Sequence, residues 1–394
     1  LGLWWGGFLD EHNAIDIVDH IVTAAIALHA SDVHADALED GMHIRLRVDG
    51  LLVPERVIAS DIALQVVARI KVLAGLDVAQ VRLPQDGKFI FKVADAPDSS
   101  SMVLDIRVAT FPSLYGEKVV LRLLYRDAGV RSLDALGLET DMIKQFKKLL
   151  DRCSGLVLVT GPTGAGKTTT LYSSLLYVQQ ASKNIMTLED PVEYTIAGIT
   201  QMQVHHEIDL SFARGLRSMV RLDPDIIMVG EIRDRDTASV AIQAALTGHL
   251  VLSTLHTIDA PGAVMRLMDM GIEPFLINAA VTGVVAQRLV RSLCSACKKP
   301  VDEQAGMLFD GYTGQQWEAA GCKHCHGTGC QGRMPVAQLL TMTPTLHELI
   351  RPGGSYGALA KQAIVEGMQP LVNSALSRVQ AGQISITELL RVFG

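Results

Sequence analysis

Apolar and polar positions recur with two different periods along this chain, and the switch between them marks out its elements. Residues 13–30 carry Ile17, Ile21, Ala24, Ala25 and Leu28 at helical spacing, and residues 62–74 repeat the pattern, so each stretch predicts an amphipathic helix. Between them, residues 42–48 alternate as a strand does, Asp49-Gly50 is a tight-turn dipeptide, and Leu51-Leu52-Val53 returns, which predicts a hairpin. Pro84-Gln85-Asp86-Gly87 predicts a further turn ahead of an alternating strand over 88–93. Residues 94–101 read as a polar loop, and 102–109 and 117–124 as two more strands. These elements make a small α+β domain, residues 1–125.

Residues 126–136 break the pattern with Asp, Gly and Arg and read as a linker. A second domain, 137–394, opens with a helix over 141–150. Short apolar runs at 156–160, 185–188, 226–229 and 250–254 then alternate with helical stretches, as the buried strands of a parallel α/β sheet do. Polar residues follow each run, at the strand ends where open α/β sheets bind ligands. Residues 288–334 form a cysteine-bearing subdomain, and 335–394 predict a helical C-terminal region.

The run at 156–160 leads into Gly161-Pro162-Thr163-Gly164-Ala165-Gly166-Lys167-Thr168, which fits G-x-x-x-x-G-K-[ST]. A helix starting at Thr169 follows, with Leu171, Leu175 and Val178 on one face. Glycines let the backbone fold tightly so that its N–H groups converge on phosphate oxygens, and the helix adds its positive N-terminal end. Lys167 can reach β- and γ-phosphates, and the Thr168 hydroxyl can ligate Mg²⁺. A glycine-rich surface turn would not need this strand-to-helix context.

Composition narrows the picture. With 48% hydrophobic residues the 394-residue chain can fill sizeable cores. The net charge of −7 speaks against a general nucleic-acid-binding role. The longest apolar stretches, near 21–30 and 275–286, fall short of the roughly 18–20 residues of a spanning helix. The chain begins with Leu1, which reads as a trimmed piece or a short version, and the apolar residues 3–8 read as a packed tail or an added segment. Six cysteines do not suggest a disulfide scaffold; four of them form two C-x-x-C pairs, Cys294/Cys297 and Cys322/Cys325. That spacing points to tetrahedral Zn²⁺ on four thiolates with no open position, hence a structural site, rather than a redox dithiol.

Further groups could complete a nucleotide site. Thr187-Leu188-Glu189-Asp190-Pro191-Val192-Glu193 places carboxylates past a strand, where one could position or deprotonate an attacking water. Spacing does not choose between Glu189 and Glu193, nor between that role and solvated loop acids. Ile226-Ile227-Met228-Val229-Gly230-Glu231 is an apolar strand ending in an acid able to hold Mg²⁺ directly or through water. Arg214, Arg217 and Arg221 recur at helical spacing and could clamp phosphate or form a solvated face. His249 and His256 flank the run at 250–254 and read either as γ-phosphate sensors or as hydrogen-bonded structural histidines.

In combination these motifs resemble the secretion ATPases of type II secretion and type IV pilus assembly, from about Ala30 to the C-terminus. The resemblance maps the glycine loop (through Thr169) onto the family's Walker A, 187–194 onto its Asp box, 222–234 onto its Walker B region and 247–257 onto its His box. Ala30-Ser31-Asp32-Val33-His34, Arg47-Val48-Asp49-Gly50 and Arg82-Leu83-Pro84-Gln85-Asp86-Gly87 resemble its preceding domain. It implies an α/β fold: a RecA-like P-loop NTPase domain preceded by a small PAS-like α+β domain, with a zinc-binding insert and a helical C-terminal region. It implies ATP and Mg²⁺ with a structural Zn²⁺, and it favours Glu193 over Glu189 as base. Arg107 and Arg122 become phosphate-contacting candidates; Arg217, Arg221 and His249 become phosphate or inter-subunit candidates. The family works as a cytoplasmic homo-hexamer, peripheral at the inner membrane and docked on a platform protein, powering pseudopilus or pilus assembly and protein secretion. The four cysteines favour the assembly branch, with pilus extension as the alternative to type II secretion. A DNA-transfer motor or a non-hydrolysing nucleotide-switched scaffold are the rivals from other classes. Departures are Asp36-Ala37 where Glu-Pro is usual, Leu222 for Gln, and Cys330 for an aromatic. The chain begins too late for the extra N-terminal domain of longer relatives, which is expected to be missing from it.

Overall fold

A computed structural model describes residues 13–92, 103–125, 131–301 and 314–394. The apolar tail at 3–8, the polar loop at 94–101 and the first half of the 126–136 segment lie outside the described residues. The chain divides into two units, Leu1–Gly129 and Val130–Gly394.

In the first unit, helix α1 (Ala14–Ala27) is capped by the Asn13 side chain accepting from the Ile15 N–H at 2.9 Å. Strands β1 (Asp32–Leu38), β2 (Gly41–Val48) and β3 (Leu51–Ile58) follow, then α2 (Ser60–Leu73), β4 (Gln85–Lys92), β5 (Val103–Ser113) and β6 (Gly116–Tyr125). They form an antiparallel sheet of order β3-β2-β1-β6-β5-β4. Alternate residues such as Val33, Ile44, Leu46, Ile106 and Leu121 pack beneath the two helices through Ile17, Ile21, Val66 and Ile70. The opposite face is charged. Asp36 takes Arg45 at 2.6 Å and Lys118 at 2.5 Å, and Asp32 takes Arg122 at 3.1 Å.

One expectation changes here. Pro84–Gly87 is not a turn, because β4 already pairs with β5 from Gln85 opposite Thr110. Gly87 is needed in that strand for a close approach: a Cβ there would lie 2.6 Å from the Ala74 carbonyl oxygen.

The second unit begins with a single 3-10 turn, Leu133–Leu136, whose two leucines are buried. It continues through α3 (Thr140–Leu150), β7 (Gly155–Thr160), α4 (Lys167–Val178), β8 (Ile185–Glu189), β9 (Thr200–Gln203), α5 (Phe212–Met219), β10 (Ile226–Val229), α6 (Arg235–Leu246) and β11 (Leu250–Leu255). Then come α7 (Ala260–Asp269), α8 (Pro274–Ala280), β12 (Val281–Leu293), the short pair β13 (Lys298–Pro300) and β14 (Trp317–Ala319), and β15 (Cys330–Thr341). Four helices close the chain: α9 (Pro344–Leu349), α10 (Tyr356–Val365), α11 (Leu371–Gln380) and α12 (Ile386–Phe393).

The sheet order is β15-β12-β7-β11-β10-β8-β9. All pairs are parallel except β12 with β15. Leu156 and Leu158 of β7 face one helical layer, and Val157 and Val159 the other. Burial on both faces explains why these strands are continuous apolar runs. The apolar stretch at 275–286 resolves into α8 and the start of β12. The C-terminal region expected from residue 335 is mostly helical, but its start shifts: Pro335–Thr341 is strand, and helix begins at Pro344. Val336, Leu339 and Leu340 form an apolar run too short for periodicity to separate helix from strand, and pairing with β12 decides it. Arg288–Leu293, read as subdomain, is likewise part of the main sheet through β12.

Candidate active site

The parallel strands β7, β11, β10 and β8 end on the same edge, and the glycine loop follows the first of them. Gly161 has φ +150°, and a Cβ there would sit 2.4 Å from the Gln287 carbonyl oxygen; Gly166 has φ +86° where it hands over to α4. A cavity of about 430 Å³ opens at this edge, lined by loop residues 163–169 together with Glu189, Glu193, Glu231 and His256. The motif residues that were far apart in sequence thus meet at the C-terminal ends of the strands.

Lys167 folds back onto the loop, its Nζ donating to the Gly161 carbonyl at 2.9 Å and the Pro162 carbonyl at 3.0 Å. Burial pushes its amine below the ordinary value, the Glu231 carboxylate opposes that shift, and Arg288 adds to it. Glu231 ends the turn after β10. One of its oxygens pairs with Arg233, and the other stands 3.5 Å from His256 Nε2. His256 comes directly after β11, and Thr254 at the end of that strand donates to the Gly230 carbonyl at 2.8 Å, tying the two strand ends together.

Glu189 is not a solvated loop acid. It is the last residue of β8 and is buried, with Oε1 taking the Thr187 hydroxyl at 2.6 Å and the Gln201 amide at 3.1 Å. Its other oxygen accepts from the Tyr172 hydroxyl. Tyr172 in turn accepts the Glu193 N–H at 3.2 Å. Burial first, and then the Glu189 carboxylate, raise the Tyr172 pKa, so the phenol stays protonated.

His249 lies away from the cavity. It stands before Leu250, which pairs with Gly155 at the start of β7, whereas Leu255 pairs with Thr160 beside the loop. Five to six strand residues, roughly 17–20 Å, separate His249 from the cavity. Its Nδ1 lies 2.8 Å from the Ala244 carbonyl oxygen, so within its own chain it caps a turn, as a hydrogen-bonded structural histidine does. Arg217 and Arg221 are exposed on and just after α5, and neither lines the cavity. Arg214 pairs with Asp209 at 3.4 Å. Arg107 and Arg122 belong to the first unit, directly opposite one another on β5 and β6 and on the face away from its helices.

Gln287 went unnoticed in the sequence. It is buried on β12, donates from Nε2 to the Ala165 carbonyl at 2.7 Å and accepts the Thr170 hydroxyl at 2.9 Å. The available signal was a lone amide within the apolar run at 281–290.

The four cysteines converge where β12 ends and β15 begins. Their sulfurs all lie within 4.8 Å of one another, with Cys294–Cys322 at 3.9 Å and Cys297–Cys325 and Cys322–Cys325 at 3.7 Å. Four thiolates about 2.3 Å from a tetrahedral metal stand about 3.8 Å apart, so the donor set fits such an ion. These separations are far too long for disulfides. Burial raises the Cys325 thiol, but backbone N–H groups of Cys322 at 3.2 Å and Gly329 at 3.1 Å outweigh it and bring the thiol to about 7. Amide donors of this kind favour a thiolate ligand.

A Walker-type loop at the head of a parallel sheet, facing an acid at the end of a neighbouring strand, defines a P-loop nucleoside-triphosphate hydrolase. Residues 9–391 match the model of the type II/IV secretion system proteins. The chain belongs to that family, and it is an ATP hydrolase of the secretion ATPase kind. It is 43% identical over 389 residues to the type IV pilus assembly ATPase PilB of Myxococcus xanthus, covering 97% of this chain and 68% of that one. It is also 43% identical to the type II secretion system ATPase E of Vibrio cholerae, covering 97% and 76%. Among solved structures, the pilus retraction motor PilT with bound ADP superposes with a TM-score of 0.61 at 25% identity, covering 95% and 96%. The Legionella pneumophila ATPase DotB shares the fold, with a TM-score of 0.68 at 20% identity over 96% and 95%. No helix among the described residues is long and apolar enough to cross a membrane.

Proposed function

We propose that this ATPase is the Mg²⁺-dependent motor of an assembly-type secretion system, extruding a pseudopilus in type II secretion or, as the alternative, extending a type IV pilus. One observation carries the reading: a single cavity brings Lys167 and Thr168 together with Glu193, Glu231 and His256. Lys167 and the loop N–H groups hold the β- and γ-phosphates of ATP, which replace the loop carbonyls as partners of the ammonium. Thr168 and Glu231 hold Mg²⁺, which supplies charge neutralisation on the phosphate oxygens. Glu193 orients the attacking water and accepts its proton. Glu189, whose oxygens are taken up by Thr187, Gln201 and Tyr172, positions rather than reacts.

The four cysteines hold one structural Zn²⁺. The working assembly is a homo-hexamer on the cytoplasmic side of the inner membrane, engaging a membrane platform protein. Arg217, Arg221 and His249, exposed or distant from their own chain's cavity, act at subunit boundaries. Relatives at 43% identity include both a pilus assembly ATPase and a secretion ATPase, which supports the shared motor chemistry for either branch.

Steady-state phosphate release tests the reading. Lys167→Ala is expected to abolish turnover while the protein stays folded by circular dichroism. Unchanged ATPase activity in that variant would sink it.

A further inference from the structure

The acid assigned to water, Glu193, stands on a stretch between β8 and β9 with no strand or helix of its own. Its backbone is held from outside. Gln201 of β9 donates to the Tyr194 carbonyl at 3.0 Å and accepts the Ile196 N–H at 2.7 Å, and Gln203 accepts the Val192 N–H at 3.4 Å. Further support comes from Tyr172, which accepts the N–H of Glu193 at 3.2 Å and of Tyr194 at 3.5 Å. The Tyr172 and Tyr194 rings meet edge to face, 5.9 Å between centroids.

Tyr172 lies on α4, the helix that begins with Lys167 and Thr168. A phenol has one proton and two lone pairs. The Tyr172 proton is committed to Glu189, itself fixed by Thr187 and Gln201, so the lone pairs are left for the two amides. Glu189 is buried at the end of β8, so the aim of the hydroxyl is set by the central sheet.

We propose that Tyr172 is a positioning residue for hydrolysis: its hydroxyl, aimed by Glu189, ties the Glu193 backbone to the helix carrying Lys167 and Thr168. Phosphate seating and the placement of the water-orienting acid are thereby referenced to one rigid element. Tyr172 itself is not among the residues that line the cavity. Loss of the hydroxyl shifts an acid, and displacement of a reacting group by about 1 Å can cost on the order of 10²-fold in rate. This rests on Glu193 being the acid that orients water.

The test compares Tyr172→Phe, Gln201→Leu and Glu193→Gln in the full chain by steady-state phosphate release, ADP calorimetry and thermal melting. Tyr172→Phe is expected to lower kcat by about 10- to 100-fold, with KM and the ADP Kd within about threefold of the parent. Gln201→Leu is expected to show the same split. A Tyr172→Phe kcat within about twofold of the parent, beside an inactive Glu193→Gln, overturns the positioning role alone. ADP affinity falling as much as kcat also overturns it, since that marks general damage to the loop. If Glu193→Gln turns over normally, the assignment of the acid fails and this role fails with it. Should Tyr172→Phe not fold, Gln201→Leu decides: a selective kcat loss supports the role and an unchanged kcat overturns it.

Discussion

The side-chain amide of Gln287 donates to the carbonyl of Ala165 at 2.7 Å, fastening the apex of the nucleotide loop to the neighbouring strand. The same amide accepts the Thr170 hydroxyl, so loop and helix are clamped by one buried residue. Gln287→Leu keeps the approximate volume but leaves that carbonyl and that hydroxyl without partners. The expected cost is about 1–3 kcal/mol of stability, together with roughly 5- to 50-fold weaker ADP binding as the loop loses its preset shape. Calorimetry with ADP checks it; an unchanged Kd would show that the clamp does not shape the loop.

Metal analysis should return about one zinc per chain, by the four-thiolate stoichiometry of such sites. Cys322→Ser should lose it, because Cys322 stands within 3.9 Å of Cys294 and 3.7 Å of Cys325. Chelation should lower the melting temperature of the parent protein and leave the serine variant unmoved. Protein prepared without chelator that contains no zinc would refute the site.

Glu388 of α12 is almost fully buried and binds the Arg291 backbone N–H at 2.9 Å and its guanidinium at 2.6 and 2.8 Å. Burial alone would raise its pKa, but Arg391 and Arg291 outweigh that and hold it below its ordinary value of 4.5. The charged form is therefore favoured by folding. Its contribution is complete above about pH 4.5 and fades as pH falls through the lower folded value. Glu388→Gln should lose about 2–3 kcal/mol near neutrality, chiefly through Arg291, since the Arg391 contact is half exposed and screened. The gap between parent and variant in denaturation curves should narrow steadily as the pH falls below about 4.5; a gap that does not narrow with falling pH would contradict this account.

In the first unit, Lys71 and Glu117 form a buried ion pair at 2.7 Å, and Lys71 also donates to the Gln80 carbonyl at 2.8 Å. Lys71→Met strands a buried carboxylate and should cost about 3–5 kcal/mol, whereas Lys71→Met with Glu117→Leu should recover most of it. Chemical denaturation of both variants distinguishes these outcomes; equal losses would mean the pair is not the reason for the penalty.

The nucleotide loop, the parallel strands and the cysteine pairs were legible because each imposes a local pattern: glycine spacing, apolar runs and C-x-x-C. The place of β1 was not: the alternation of Asp32, His34 and Asp36 with Val33, Ala35 and Ala37 suits a strand, but its central position comes only from pairing with both β2 and β6. The two histidines flanking β11 looked equivalent in sequence. They stand at opposite edges of the sheet because a six-residue strand separates them, and only the parallel pairing with β7 says which edge holds the loop. The burial of Glu189 was not legible either: it depends on Tyr172 and Gln201, which arrive from other elements.

The β12–β15 ladder runs from Gly283 opposite Thr341 to Leu293 opposite Cys330, and the cysteine excursion leaves it only at that last pair. The ladder is thus complete before the excursion begins, and Gln287 is fixed well inside it. Lengthening the segment between the two cysteine pairs costs only loop-closure entropy, about 0.6 kcal/mol per doubling. The excursion is therefore a site where insertions and deletions can accumulate during divergence, while the strand that grips the nucleotide loop keeps its register.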